Sequence, residues 1–284
     1  MPPTTTSRSQ VLWLEDPAAA DPRRTGGKAA ALAALASRHP VPPGFVVAGG
    51  TPDAAVARAY DELAGRAGTV DAVVAVRSSA TDEDGLQASF AGQHETVLGV
   101  QGAAEVLDAI AACRASGRSS RALAYRHANG LAAPIAELPV LVQLLVPADS
   151  AAVAFSVNPV APLAGEVLVN AAFGLGESIV GGTVTPDEWV FARPSLVVAR
   201  RTIADKRRMT VRAPGGSREV DVPAPLRRLP SLADEQARAA GALALRLERE
   251  LGVPVDLELA WSAERIHLLQ CRPITTLTQT QEAA

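Results

Sequence analysis

Two short segments of this 284-residue chain carry residue types suited to phosphate chemistry. The first, Val76-Arg77-Ser78-Ser79-Ala80-Thr81-Asp82-Glu83-Asp84, sets a guanidinium, three hydroxyls and three carboxylates in a turn after an apolar strand. A guanidinium forks onto phosphate oxygens, and carboxylates suit a hard divalent cation, so this polar set fits a triphosphate and magnesium better than a core. The second segment is Asp256-Leu257-Glu258 followed by Leu269-Gln270-Cys271-Arg272-Pro273. It puts carboxylate, amide and guanidinium on two adjacent strands, a set able to hold a metal and the phosphates it bridges. A third candidate, Gly26-Gly27-Lys28, opens a helix, where backbone N–H groups, the positive end of the helix dipole and an ammonium can receive a phosphate.

The glycine patterns disfavour two common nucleotide folds. Gly26-Gly27-Lys28 lacks the glycine-to-lysine spacing and the following Ser or Thr of a Walker loop, and no Gly-x-Gly-x-x-Gly opens a helix. Gly174-Leu175-Gly176-Glu177 with Gly181-Gly182-Thr183-Val184-Thr185-Pro186-Asp187 reads, on its own, as a mobile turn. His39, His94, His127 and His267 each read as structural, and no Ser/His/Asp or Cys/His arrangement stands out.

These groups need elements to hold them. Strands are expected over Val11–Leu14, Phe45–Val47, Val73–Val76, Gln93–Leu98, Val140–Val146, Ala151–Val157, Val167–Ala172, Glu188–Phe191, Leu196–Thr202, Val255–Ala260 and Arg265–Gln270. Helices are expected from Gly26 to near Arg38, from a Thr51-Pro52-Asp53 start with a hydroxyl cap to Gly65, over Ala103–Ala115 and Ser119–Ala128, and over Leu232–Leu251, closed by Gly252 and Pro254. The Pro-, Gly- and Arg-rich tract from Ala213 to Pro230 reads as a flexible surface excursion, with a lid as the functional alternative. The order is α+β, with a lobe boundary near Leu141 to Pro147.

Composition sets the class. At 48% apolar and 20% charged residues, a chain of this length can bury roughly three quarters of its unfolded surface as one large domain or two lobes. A net charge of −3 gives no general reason to bind nucleic acid or an anionic membrane. Arg200, Arg201, Lys206, Arg207 and Arg208 form a local basic cluster, read as a solvated strand and turn with phosphate or partner contact as the alternative. Cys113 and Cys271 are too few for a disulfide framework and wrongly spaced for zinc. The N-terminus lacks a signal-peptide pattern, and no apolar run approaches the roughly 20 residues that cross a bilayer. A soluble, cytoplasmic protein is expected.

Taken in order, Gly26-Gly27-Lys28, Pro42-Pro43-Gly44-Phe45, Val76 to Asp84, Ala88-Ser89-Phe90-Ala91-Gly92-Gln93-His94-Glu95-Thr96, Asn170 to Glu177 with Thr185-Pro186-Asp187, and Asp256 to Thr275 resemble the ATP-grasp domain of the dikinase family. That family includes phosphoenolpyruvate synthase, pyruvate phosphate dikinase and rifampin phosphotransferase. The resemblance spans nearly the whole chain and implies ATP clamped between two α+β lobes, residues 1–141 and 142–284. It implies that Lys28 and Arg77 meet the phosphates, that Gly92 and Thr96 let backbone and hydroxyl approach them, and that Gln143 faces the adenine edge. Glu258 and Gln270 would hold Mg2+ with Asp256 in support, and Arg272 would bind the terminal phosphate and stabilise charge during transfer, so Arg77, Arg272 and Lys28 are the catalytic candidates.

In that family the β-phosphoryl of ATP passes to a histidine on a swivelling domain, the γ-phosphate leaves as phosphate, AMP remains, and a third domain passes the phosphoryl on. This chain stops at Ala284, shortly after Thr275, and none of its histidines has the family's glycine-rich Thr-Ser-His context. The leading expectation is therefore the ATP-binding, phosphoryl-donating component of a split dikinase working with a separate histidine-domain protein. A self-sufficient ATP-grasp kinase or ligase acting on a small molecule, and a non-catalytic ATP-binding regulatory module, are the alternatives. Retention of Lys28, Arg77, Glu258, Gln270 and Arg272 argues against the last.

Overall fold

The computed structural model describes residues 11–80, 96–117, 138–213 and 215–274. Thr81 to Asp84, Gly92, His94, His127 and the helix expected over Ser119–Ala128 lie outside the described residues. The described chain forms two compact units, the first of residues 11–38, 43–80, 96–117 and 138–145, the second of residues 39–42, 146–213 and 215–274.

The first unit runs β1 (Val11–Trp13), α1 (Pro22–Ala36), β2 (Gly44–Val47), α2 (Asp53–Arg66), β3 (Val73–Ser78), β4 (Thr96–Gln101), α3 (Ala103–Ser116) and β5 (Val140–Leu144). Its five strands pair antiparallel in the order β1-β2-β5-β3-β4. Alternation along each strand sorts the side chains between two faces. Phe45, Val47, Val74, Val76, Val140 and Val142 share one face and pack with Val56, Tyr60 and Leu63 of α2 and Val106, Ile110 and Cys113 of α3. The opposite face carries Arg77 and Gln143. At the start of α2 the hydroxyl cap expected from Thr51 is not formed: Pro52 is the N-cap, and Thr51 Oγ1 instead donates to Ala48 O at 2.7 Å.

The second unit runs β6 (Ser150–Phe155), β7 (Glu166–Phe173), a short α4 (Glu177–Val180), β8 (Asp187–Ala192), β9 (Val197–Thr202), β10 (Arg208–Ala213), β11 (Gly216–Asp221), α5 (Asp234–Leu251), β12 (Val255–Ser262) and β13 (Arg265–Pro273). Six strands form an antiparallel sheet in the order β13-β12-β6-β7-β8-β9. The amphipathic α5, with Ala237, Ala240, Gly241, Ala244 and Leu247 buried, covers one face, meeting β12, β6, β7 and β8. Gly241 lies against Val167, Leu196 and Phe191, which puts α5 on the face of Val167 and of its ladder partner Phe191.

Two expectations fail in this unit. The tract expected to be a flexible excursion begins in a hairpin, since β10 pairs with β11 from Arg208↔Asp221 to Ala213↔Gly216. Arg208 pairs with Asp221 and Glu219, and the hairpin is tied back at Gly174, whose Cβ, were there one, would stand 2.1 Å from Thr210 O. Leu175 N donates to the same Thr210 oxygen at 2.8 Å, and Ser217 Oγ donates to Glu177 Oε2 at 2.6 Å. Gly174 has φ 78°, a conformation open to glycine at little cost, so here the glycine serves close approach.

The basic cluster divides too. Arg200, Arg201, Arg207 and Arg208 are exposed, but Lys206 is buried, its Nζ 2.6 Å from the equally buried Asp187. Asp187 also accepts from Ala204 N, Ser231 N and Ser231 Oγ, so the carboxylate ties the start of β8 to two loops. Among the described residues no helix is long and apolar enough to cross a membrane.

Candidate functional site

In the first unit the positioning begins at a break in α1. Gly26 has φ 77° and ψ 170°, outside helical geometry, so the expected helix start at Gly26 is a kink in a helix that opens at Pro22. The kink is pressed on the end of β3: a Cβ on Gly26 would lie 1.5 Å from Ser79 O. Gly27 N donates to Ala80 O at 2.9 Å and Ala29 N to Ser79 Oγ at 3.0 Å. Lys28, half-buried, lies between those two anchored amides.

Arg77 is half-buried on the sheet face opposite the apolar core. Its ladder partners are Thr96 on β4 and Leu141 on β5, and the next pair along that face is Ala75↔Gln143. The fold therefore brings Arg77, Thr96 and Gln143 onto one face and anchors the Lys28 turn just past Arg77. Thr96 is exposed, whereas Gln143 is 2% exposed. Gly92 lies outside the described residues.

In the second unit all four expected residues stand in one square. Register pairs Asp256 with Arg272 and Glu258 with Gln270, so Asp256 and Glu258, two apart on β12, project to the same side as Arg272 and Gln270 on β13. Leu257 and Cys271, the pair between them, point to the other side and are buried. The square lies on the face opposite α5, since the ladder runs from Glu258 through Val153 to Asn170, out of phase with Val167. A register shift falls immediately after Glu258, and bulges of this kind re-aim neighbouring side chains.

The electrostatics are unbalanced within that square. Arg272 Nε and Nη2 reach the same oxygen, Asp256 Oδ2, at 2.8 and 2.7 Å. The other oxygen, Oδ1, is buried and accepts no hydrogen bond. Burial pushes the Asp256 carboxyl above its ordinary pKa, Arg272 pulls it down, and the neighbouring Glu258 charge raises it further. A divalent cation beside Oδ1 would relieve both the orphaned acceptor and the like-charge pair, so the donor set fits one. Among the described residues no group of three His, Cys, Asp or Glu could hold a metal. Two carboxylates and an amide leave the remaining positions to water and phosphate, the habit of magnesium.

Sequence reasoning did not assign Ser79 or Ala80 a role in positioning Lys28, nor Lys206 to a buried pair. A serine after a strand carries no local sign of bonding to a helix far earlier in the chain. The Asp187 partner lay in a quoted motif, but nothing in the spacing joins it to Lys206.

One unit thus carries a sheet-borne carboxylate–amide–guanidinium square, and the other a lysine turn and an arginine, residue types able to bind a metal and phosphate. The family model of the pyruvate phosphate dikinase AMP/ATP-binding domain matches residues 52–284, and this chain belongs to that family. The probable phosphoenolpyruvate synthase of Methanocaldococcus jannaschii is 38% identical over 224 residues, 78% of this chain and 19% of that protein. The phosphoenolpyruvate synthase of Pyrococcus furiosus is 37% identical over 237 residues, 80% of this chain and 29% of its own. The rifampicin phosphotransferase of Streptomyces sviceus is 40% identical over 210 residues, 74% of this chain and 24% of its own. The chain thus spans between 19% and 33% of the length of such relatives. The α+β class expected from the sequence is the class observed, and membership of an AMP/ATP-binding domain family bears out the expected binding of ATP.

Proposed function

We propose that this chain is the ATP-using, phosphoryl-donating part of a dikinase-type phosphotransferase. ATP, a histidine and water would give AMP, phosphohistidine and phosphate, with the β-phosphoryl passing to a histidine on a separate domain or protein. The observation that carries the reading is the square of Asp256, Arg272, Glu258 and Gln270, in a chain whose family is an AMP/ATP-binding domain.

Each residue has a distinct task in this proposal. Lys28 and Arg77 bind the phosphates as charge-assisted donors, and Thr96 adds a hydroxyl beside Arg77. Gln143, on the same face as Arg77, recognises the adenine edge. Glu258 and Gln270 hold Mg2+, with Asp256 alongside through its orphaned Oδ1. An ion held by these residues would supply charge neutralisation to the phosphates. Arg272, already oriented by Asp256, meets the terminal phosphate and stabilises charge that develops as it leaves. Gly92 is proposed to let the backbone approach the phosphates.

The test is product analysis with MgATP, resolving AMP, ADP and phosphate, with and without candidate histidine-domain proteins from the source cells. AMP and phosphate, with the partner phosphorylated on histidine, is the expected result. ADP as product would replace this reading with a kinase or ligase acting directly on a small molecule. Tight ATP binding with no turnover under either condition would point to a regulatory module.

A further inference from the structure

We infer that Ser79 is a positioning residue for the phosphate-binding lysine, its hydroxyl holding the turn that carries Lys28 against the strand that carries Arg77. The inference rests on the phosphate roles proposed above for those two residues. Because α1 leaves helical geometry at Gly26, the helix that resumes after it has an N-terminus of its own, with amides that need acceptors. A Ser, Thr, Asp or Asn just before the first turn ordinarily supplies one. At this break the chain reads Gly26-Gly27 and offers no side chain.

The acceptor comes from Ser79 instead, 50 residues along the chain and wholly buried, which receives Ala29 N at 3.0 Å. Its own amide is fixed in turn, donating to Pro139 O at 3.0 Å ahead of β5. Gly27 N on Ala80 O completes a clasp with one amide tied on each side of Lys28. Arg77 stands two residues before Ser79, near the end of the strand that Ser79 follows, so the clasp sets where the ammonium lies relative to the guanidinium. Loss of the hydroxyl would leave both charges present and blur their relative placement, and phosphate recognition is sensitive to misplacement on the ångström scale.

The experiment compares Ser79→Ala with the wild-type full chain for binding of MgATP and of adenosine, which has no phosphates to meet. The expected result is a loss on the order of tenfold in MgATP affinity with adenosine affinity held. In a Lys28→Ala background, Ser79→Ala should add little further loss, the non-additivity of residues acting through one another. Should Ser79→Ala not fold, Ser79→Cys repeats the test, keeping the shape with a weaker acceptor. An equal loss for both ligands, or additive losses in the double variant, would mean a merely structural serine and overturn the inference. The functional reading fails differently: a wild-type chain with no preference for MgATP over adenosine, or a Lys28→Ala chain that keeps that preference, removes the phosphate role itself. Preference lost in Lys28→Ala yet kept in Ser79→Ala overturns the positioning alone.

Discussion

The two units carry their polar groups by different means. In the second, Asp256, Glu258, Gln270 and Arg272 are aligned by the register of one antiparallel pair, joined by a tight turn at Ala263-Glu264. In the first, Arg77 and Gln143 meet on one face through strands distant in sequence, and Lys28 is brought in by a clasp between a helix kink and a strand end. A hairpin ladder writes its geometry into a two-residue period. A clasp writes nothing periodic at all, so disturbing the two arrangements should have different consequences.

The largest expected effect tests whether the second unit depends on its ladders alone. Lys206 and Asp187 form a buried pair outside the hairpin, and Lys206→Met would strand a carboxylate that no water reaches. Removing one partner of such a pair costs about 3 kcal/mol or more. Urea unfolding should show an unfolding free energy lower by that amount. A loss under ~1 kcal/mol, ordinary for an exposed pair, would mean that the ladders suffice.

Arg77→Ala and Arg272→Ala sharpen the contrast at the proposed site. On the proposed roles each would remove a charge-assisted phosphate contact, and each should cost turnover on the order of 2–4 kcal/mol in the transition state. Arg272 is the partner of the nearly buried Asp256, so its loss should also lower the melting temperature. Unchanged turnover in both variants would remove the site, and an Arg272→Ala chain with the wild-type melting temperature would remove the Arg272–Asp256 pair from the account of stability.

A smaller and more specific effect is expected of Glu258→Gln. The isosteric amide keeps the ladder and removes a charge, so the fold should hold while the Mg2+ concentration needed for half-maximal turnover rises on the order of tenfold. A normal metal titration would count against Glu258 as a ligand.

The same contrast explains what could be read in advance. Val255 to Ala260 alternates clearly and Arg265 to Gln270 does so up to Leu268-Leu269, so both strands were legible, and with them the shared face of Asp256 and Glu258. The core strands and α5 were legible from apolar runs and helical periodicity, and the end of α5 from Gly252. The β10–β11 hairpin was not, because its strands, Arg-Met-Thr-Val-Arg-Ala and Gly-Ser-Arg-Glu-Val-Asp, lack a sustained apolar alternation and bury little. Nor was Lys206, since a lysine among arginines reads as solvated until a buried carboxylate is found beside it. The common face of Arg77 and Gln143 depends on which strand lies beside β3, and pairing between distant strands is a tertiary outcome that local pattern does not encode.

The first unit also holds a polar node that should betray itself at alkaline pH. Tyr60, 2% exposed, has its hydroxyl 2.5 Å from Asp71 Oδ1 and 2.7 Å from Ala72 O, and accepts from Gly102 N at 2.8 Å. Burial first, and then the Asp71 carboxylate, push its phenol pKa up to about 12. The folded state therefore holds this proton more tightly than the unfolded chain, whose tyrosine ionises near pH 10. The contribution is complete below pH 10 and drains away as pH climbs towards 12. Tyr60→Phe should flatten that part of the stability curve and cost about 1 kcal/mol at neutral pH, where the hydrogen bonds are lost but the ring still packs. Absorbance titration offers an independent check, since the chain has two tyrosines and the Tyr60→Phe difference isolates one. Ionisation of that component near pH 10 would mean that the α2–α3 side of the first unit is open to water, and that its sheet face is framed less firmly than the ladder of the second.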